Sequence, residues 1–313
     1  MKPRIADYII VFAIIVEVIA FAVLASQFLT FPNFINIALS IAITGILAVG
    51  MTFVILTGGI DLSVGSVVAV AGVVAAICAA SLGSIGVALG IIAAIAIGLV
   101  VGVFNGLMVS RFNVPPFVVT LAGLTIARGL AFIIANAYNQ GTSIGDLPES
   151  FGLLGRKTFL GLPVPVITMV FVFALGWFLL KYTTFGRYVY AVGGNREAAF
   201  LAGVNVKFVI LMVYVLNGLL VGLAGATLAS RLGAGLANSG MQYELDVIAA
   251  VVVGGTSLSG GRGSVISTLW GAIFIGVLNN GLNLAGVDPY IQKIALGFVI
   301  LIAVLADQLT KKQ

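Results

Sequence analysis

Acid–base, nucleophilic and metal chemistry draw on imidazoles, thiolates and paired carboxylates, and this chain offers almost none of them. It has no histidine, one cysteine (Cys78) and 10 carboxylates in 313 residues. Imidazole ligands, Ser–His triads and histidine proton shuttles are thereby excluded, and a single thiol forms neither an intrachain disulfide nor a thiolate metal site. No segment has the G-x-x-x-x-G-K-[ST] spacing that cradles nucleotide phosphates, so no ATPase of the chain's own is visible. No nucleophile elbow or metal-ligand spacing replaces it. We assign no catalytic residue, no metal site and no bound cofactor.

What remains is a chemistry of hydrogen bonding. Asn105, Arg128, Asn217, Asn279, Asn280 and Asn283 all fall within apolar stretches. Polar side chains at membrane depth are expensive and functional by default. Amides donate and accept at once, which suits a neutral polyhydroxylated solute. The same amides could instead tie helices together, at about 0.6–2 kcal/mol a pair. Arg128 needs carbonyl or carboxylate partners, or a place nearer the membrane surface. Gln242, Glu244 and Asp246 open a short apolar run, where carboxylates could line an outward entrance or simply favour a helix N-terminus.

Two glycine-rich stretches share Gly-Gly-x-x-Leu-Ser: TGGIDLSVGS at 57–66 and VGGTSLSGGRGS at 253–264. Dense glycine breaks helices, and Ser and Asp can satisfy the backbone groups that a break exposes. Non-helical backbone survives at membrane depth only inside protein or beside a water-filled cavity. Gly58, Gly59, Asp61 and Ser63, with Gly254, Gly255, Ser257 and Ser259, are therefore candidates for a translocation path or its inner gate, together with Asn105 and the 279–283 amides. The alternative is a pair of tight interhelical turns. A third polar feature, Tyr182 to Lys207, concentrates Arg187, Arg196, Glu197 and Lys207 in a chain only 8% charged. A polar segment of that length between two apolar runs must meet something outside the bilayer.

The elements that position these residues follow from composition. A hydrophobic fraction of 61% and a mean hydropathy of +1.23 exceed what a soluble domain can bury, so apolar surface must face lipid. The fold class is all-α integral membrane, a single domain over residues 1–313. Apolar runs place about ten crossings, at 8–26, 37–57, 62–82, 85–109, 114–136, 163–181, 208–231, 244–257, 265–285 and 290–307. The eighth is short and Gly-terminated, as a broken or re-entrant segment would be. The first, interrupted by Glu17, reads as a retained signal anchor. Gly98, Gly102 and Gly106, like Gly86 with Gly90 and Gly218 with Gly222, recur every four residues and read as helix-packing faces.

With a cytoplasmic N-terminus, Lys2, Arg4, Arg111, Lys181, Arg187, Arg196, Lys207, Arg262, Lys311 and Lys312 fall inside. Arg156, Lys157, Arg231 and Lys293 fall outside. That bias sets an N-in, C-in topology and turns the 182–207 segment to the cytoplasm. The long 137–162 connection then faces outward, as an interaction surface or a spacer.

Four stretches together resemble a known family: AVGMTFVILTGGIDLSVGS (48–66), TTFGRYVYAVGGNREAAFLAGVNV (183–206), YELDVIAAVVVGGTSLSGGRGS (243–264) and NNGLNLAGVDPYIQ (279–292). They are similar to the ribose-type permeases, the membrane subunits of bacterial ATP-binding-cassette importers for simple sugars. The resemblance covers nearly the whole chain. It implies a bacterial inner-membrane location, a periplasmic or lipid-anchored sugar-binding protein, a second permease subunit (a homodimer is expected) and a separate cytoplasmic ATPase that uses ATP and magnesium. No nucleic-acid partner is implied. It also implies that Gly193, Gly194, Asn195, Arg196, Glu197, Ala198, Ala199, Phe200, Leu201 and Gly203 form a short helix docking on that ATPase. Asn195 suits its cap, Glu197 its first turn and Gly203 its end. Residues 198–201 would supply an apolar knob, with Arg187 and Arg196 for charge pairing. A lipid-surface helix is the competing reading of this segment.

Two other functions compete. An autonomous proton-coupled sugar transporter needs a mid-membrane carboxylate, for which Glu17 and Asp61 are weak candidates. A membrane enzyme is disfavoured by the missing histidines and paired acids.

Overall fold

The computed structural model describes residues 5–139 and 141–311, with side chains over 10–138 and 141–305. Lys2, Arg4 and Lys312, invoked above for orientation, lie outside the described residues, as does the side chain of Lys311. Eleven α-helices are described: α1 (Ile5–Leu24), α2 (Phe31–Leu56), α3 (Val64–Ser110), α4 (Pro116–Asn139), α5 (Val164–Tyr182), α6 (Thr184–Gly194), α7 (Arg196–Leu201), α8 (Val206–Leu232), α9 (Tyr243–Val253), α10 (Val265–Leu284) and α11 (Pro289–Lys311). Among the described residues, six helices are long and apolar enough to cross a membrane, and the apolar parts of α1 and α11 are shorter.

The third and fourth expected segments share α3, which breaks at Gly83 (φ 60°, ψ −138°), a backbone conformation that favours glycine. The two arms fold back on each other so tightly that a Cβ on Gly86 would meet the Cys78 carbonyl, and one on Gly90 would meet Ala75 at 2.6 Å. Helix α8 packs against both arms. Gly98 abuts Gly218 and Gly222 there, and Gly72 abuts Gly225 and Ala229. The four-residue glycine spacings therefore serve backbone approach, as dispersion-driven packing in lipid requires.

Helix α9 spans 11 residues, about 16 Å at 1.5 Å per residue, roughly half of a hydrocarbon core. It stops four residues before the expected end because Gly254 and Gly255 (φ 86°) close it. The chain reaches α9 through an inward-running stretch. Strand β4 (Gly235–Leu236) pairs antiparallel with β1 (Ser143–Ile144), and Gly240 then packs against Gly65 at the start of α3. The expected 137–162 connection is shorter than its sequence suggests, since α4 continues to Asn139. It is not a free spacer: Ile144 and Phe151 are buried, and Ser230 Oγ donates to the Phe151 carbonyl. A second small hairpin pairs β2 (Thr158–Phe159) with β3 (Leu162–Pro163).

Candidate translocation cleft and coupling surface

Helices α9, α10 and α11, with Ser40 of α2, enclose a cleft of ≈ 510 Å³. Gln242, Leu245 and Asp246 line it from the start of α9, Asn279, Asn280 and Asn283 from α10, and Gln292 and Lys293 from α11. Two residue sets proposed separately from sequence thus meet in one wall. Asn279 and Asn283 share a helix face by their four-residue spacing. Asn280 spends both ends of its amide on Asn33, in reciprocal 3.0 Å hydrogen bonds. Asn33 is itself buried and also donates to the Phe28 carbonyl. Asn280 therefore braces α10 against α2 while bordering the cleft.

The Gln242–Asp246 group divides. Gln242, in a left-handed conformation (φ 70°), and Asp246 face the cleft. Glu244 turns away toward Gly65, whose added Cβ would lie 2.5 Å from Oε2. The group lies short of the end of the bundle toward which α10 runs. Asn279, which shares the cleft with Gln242, is about 21 Å up α10 from Val265. Arg128 fixes this arrangement. Its Nη1 donates to the carbonyls of Ala237 and Ser239, both at 2.8 Å, pinning the stretch that delivers Gln242. Ser40, Gln292 and Lys293 were not among the site residues read from the sequence. The polar doublet Gln292–Lys293 in the last apolar run was a signal for those two, and Ser40 had none.

The 57–63 break holds a second polar cluster, separate from the cleft. Asp61 is buried and accepts from the Ser63 amide (2.9 Å) and Ser63 Oγ (2.6 Å) through one oxygen, and from Asn217 Nδ2 (2.9 Å) through the other. Asn105 Nδ2 donates to Ser63 Oγ at 3.1 Å. The Ser63 contacts are an Asx-type turn that launches α3. Asn217 sits near the middle of α8, so Asp61 lies deep in the bundle rather than in a surface turn. The preceding α2 packs chiefly on α8, α5, α10 and α9 instead of folding back on α3. The stretch is therefore no tight interhelical turn. It is buried non-helical backbone, roofed by protein as membrane depth demands.

Both breaks close their helices the same way. The amide of Gly59 reaches back to the Val54 carbonyl (3.0 Å) and that of Thr256 to Val251 (3.1 Å), with left-handed Gly58 (φ 74°) and Gly255 between. The shared Gly-Gly thus aligns in space one residue off its sequence match. The two breaks also touch, since the Gly261 amide donates to the Leu56 carbonyl at 2.9 Å. Ser257 is buried in the second break, whereas Ser259 is exposed.

In the polar 182–207 segment, Asn195 caps α7 by accepting from the Ala198 amide (2.9 Å), with Glu197 in the first turn, and Gly203 (φ 83°) follows its end. Phe200 and Leu201 are 68% and 79% exposed. Ala199 is buried, so it belongs to the inner side of α7 and not to the exposed apolar knob. Arg187, Gly194 and Arg196 are exposed, and Gly193 packs inward.

A permease family described as the branched-chain amino acid transport system permease component matches residues 33–304. The ribose import permease protein RbsC of Bacillus subtilis is 48% identical over 93% of this chain and 89% of its own length. RbsC of Escherichia coli K12 is 43% identical over 96% and 92%, and the xylose transport system permease protein XylH of the same strain is 38% identical over 91% and 87%. No solved structure matches the chain.

Proposed function

We infer that this chain, which belongs to the family of transport-system permease components and within it to the ribose-type permeases, is the membrane subunit of an ATP-driven importer for a simple sugar. Ribose is the best single candidate. The observation that carries the substrate class is the cleft between α9, α10 and α11. There amides, one hydroxyl, one carboxylate and the single cation Lys293 line a space of monosaccharide scale. Sugar hydroxyls pair with such groups, the amides and the hydroxyl both donating and accepting, the carboxylate accepting and the ammonium donating.

The remaining parts follow from the same reading. The chain crosses the bacterial inner membrane ten times with both termini inside: α3 crosses twice, and the half-length α9 completes one crossing together with the stretch that leads into it. The α6–α7 segment then faces the cytoplasm. Phe200 and Leu201, exposed like Arg187 and Glu197 of the same segment, dock on a separate ATPase subunit, which handles ATP and magnesium. A sugar-binding protein delivers solute from outside, and a second permease copy completes the pathway. Both oxygens of buried Asp61 accept hydrogen bonds from Ser63 and Asn217, and the residue serves the fold of the inner break.

Reconstitution tests this directly. Proteoliposomes holding this chain with its ATPase and binding protein should accumulate radiolabelled D-ribose with ATP and not with a pH gradient. Uptake by the chain alone, driven by a pH gradient without ATP, would overturn the reading in favour of a proton-coupled transporter. Uptake of leucine but of no sugar would move the chain to the amino acid branch of its family.

A further inference from the structure

Three backbone segments meet beneath the cleft with almost no side chain between them. Gly193, in the last turn of α6, lies against the end of α2 and the second glycine break, where a Cβ would meet the Leu56 carbonyl and, at 2.5 Å, the Gly261 nitrogen. One turn earlier, the Tyr190 hydroxyl donates to the Gly263 carbonyl at 2.9 Å. At the start of α7, Arg196 Nη2 donates to the Thr57 carbonyl at 3.1 Å. The α6–α7 unit therefore grips both breaks, each by a side-chain hydrogen bond to a main-chain carbonyl.

Each break leads to a polar feature deeper in the molecule. Four residues beyond Thr57 lies Asp61, tied to α8 through Asn217. On the other side the chain runs back from Gly254 through α9, whose far end places Asp246 and Gln242 in the cleft. A single hydrogen-bonded helix of this length moves as a rigid body, and close-packed backbone passes a displacement on rather than absorbing it.

We propose that Tyr190, Gly193 and Arg196 form a transmission joint, positioning residues that carry movement of the ATPase-docking segment into α9 and the Asp61 break. The proposal rests on the reading of α7 as the docking element. It assigns work to Tyr190, which docking alone does not use.

The test uses the full complex of this chain, its ATPase and its binding protein in proteoliposomes. Tyr190→Phe removes one hydroxyl and keeps the ring. It should retain the bound ATPase and basal ATP hydrolysis. The hydrolysis stimulated by ribose-loaded binding protein, and D-ribose uptake, should fall by about two- to tenfold, the range one lost hydrogen bond supports. Arg196→Ala should also lose stimulated hydrolysis, with the bound ATPase measured alongside because Arg196 belongs to the docking segment, and Arg196→Lys, which keeps a donor, should recover part of it. Normal stimulated hydrolysis and uptake in Tyr190→Phe would overturn the joint. So would an equal fall in basal and stimulated hydrolysis, since that marks a merely structural role. Phe200→Asp separates the two readings. Release of the ATPase supports docking at α7, and a retained ATPase sinks docking whatever Tyr190→Phe does.

Discussion

Single side chains decide which polar residues meet solute and which hold helices, and the asparagines of α10 show the division. Asn279 and Asn283 border the cleft, whereas Asn280 is committed to Asn33 at both ends of its amide. Asn279→Ala or Asn283→Ala should therefore weaken ribose transport by about fivefold, one hydrogen bond's worth, with little change in melting temperature. Asn280→Ala should lower the melting temperature of the purified chain, because it strands buried Asn33 at a cost of about 1–2 kcal/mol. Uptake titrations and thermal unfolding in detergent measure the two effects. An Asn280→Ala chain with wild-type unfolding would return that amide to the solute side. The sequence already marked all three amides as costly in an apolar setting. It could not divide them, because Asn33 lies nearly 250 residues away and only the fold brings it near. Arg128 was legible in kind, since a guanidinium among apolar residues needs carbonyl or carboxylate partners or a place nearer the surface, but Ala237 and Ser239 were not nameable before the inward stretch was seen.

At the scale of the element, α7 was the most legible part of the chain. Its cap, first-turn acid and terminal glycine are local rules written in consecutive residues, and all three are present. Which side of a six-residue helix faces out is decided by what it lies on, and so Ala199 was misplaced in the apolar knob. Phe200→Asp should abolish co-purification of the ATPase while leaving the chain inserted and folded. Ala199→Asp should act differently, destabilising the chain itself by burying a carboxylate against its own neighbours. Comparing ATPase pull-down with unfolding temperature for the two variants separates these outcomes, and equal unfolding temperatures would refute the inward placement of Ala199. The start of α9 makes the complementary point. Its residues were recognised, but its depth was not, because β4 and the turn before Gln242 return the chain inward with no hydropathy signature. Arg128→Ala should release that stretch. Limited proteolysis would then show new cleavage near 237–242, and ribose uptake should fall.

For the whole molecule, hydropathy alone placed ten apolar segments, and each falls on a described helix or on an arm of one. Length and composition carry that much because lipid allows few spanning structures. What hydropathy cannot carry is adjacency. The shared Gly-Gly-x-x-Leu-Ser gave a reason to relate the two breaks, yet their contact through Gly261 and Leu56 is a property of the bundle. The four-residue glycine spacings go further, because they predict a kind of neighbour: another backbone. The seam between α3 and α8 supplies it, with Gly98 against Gly218 and Gly222. A side chain there has nowhere to go, since its Cβ meets main chain and not the movable end of a side chain. Gly98→Val should therefore cost about 1–3 kcal/mol or more through overpacking and lower the melting temperature markedly. Gly129, in α4, has nothing within 4 Å of the equivalent position, so Gly129→Val should melt close to the parent. Both substitutions add the same hydrophobic surface and both lie in apolar helices, so hydropathy predicts no difference between them. Matched unfolding curves for the two variants would mean that the glycine seam does not hold α3 to α8. A loss confined to Gly98→Val would show that backbone contact, rather than apolar composition, fixes the interior of this bundle.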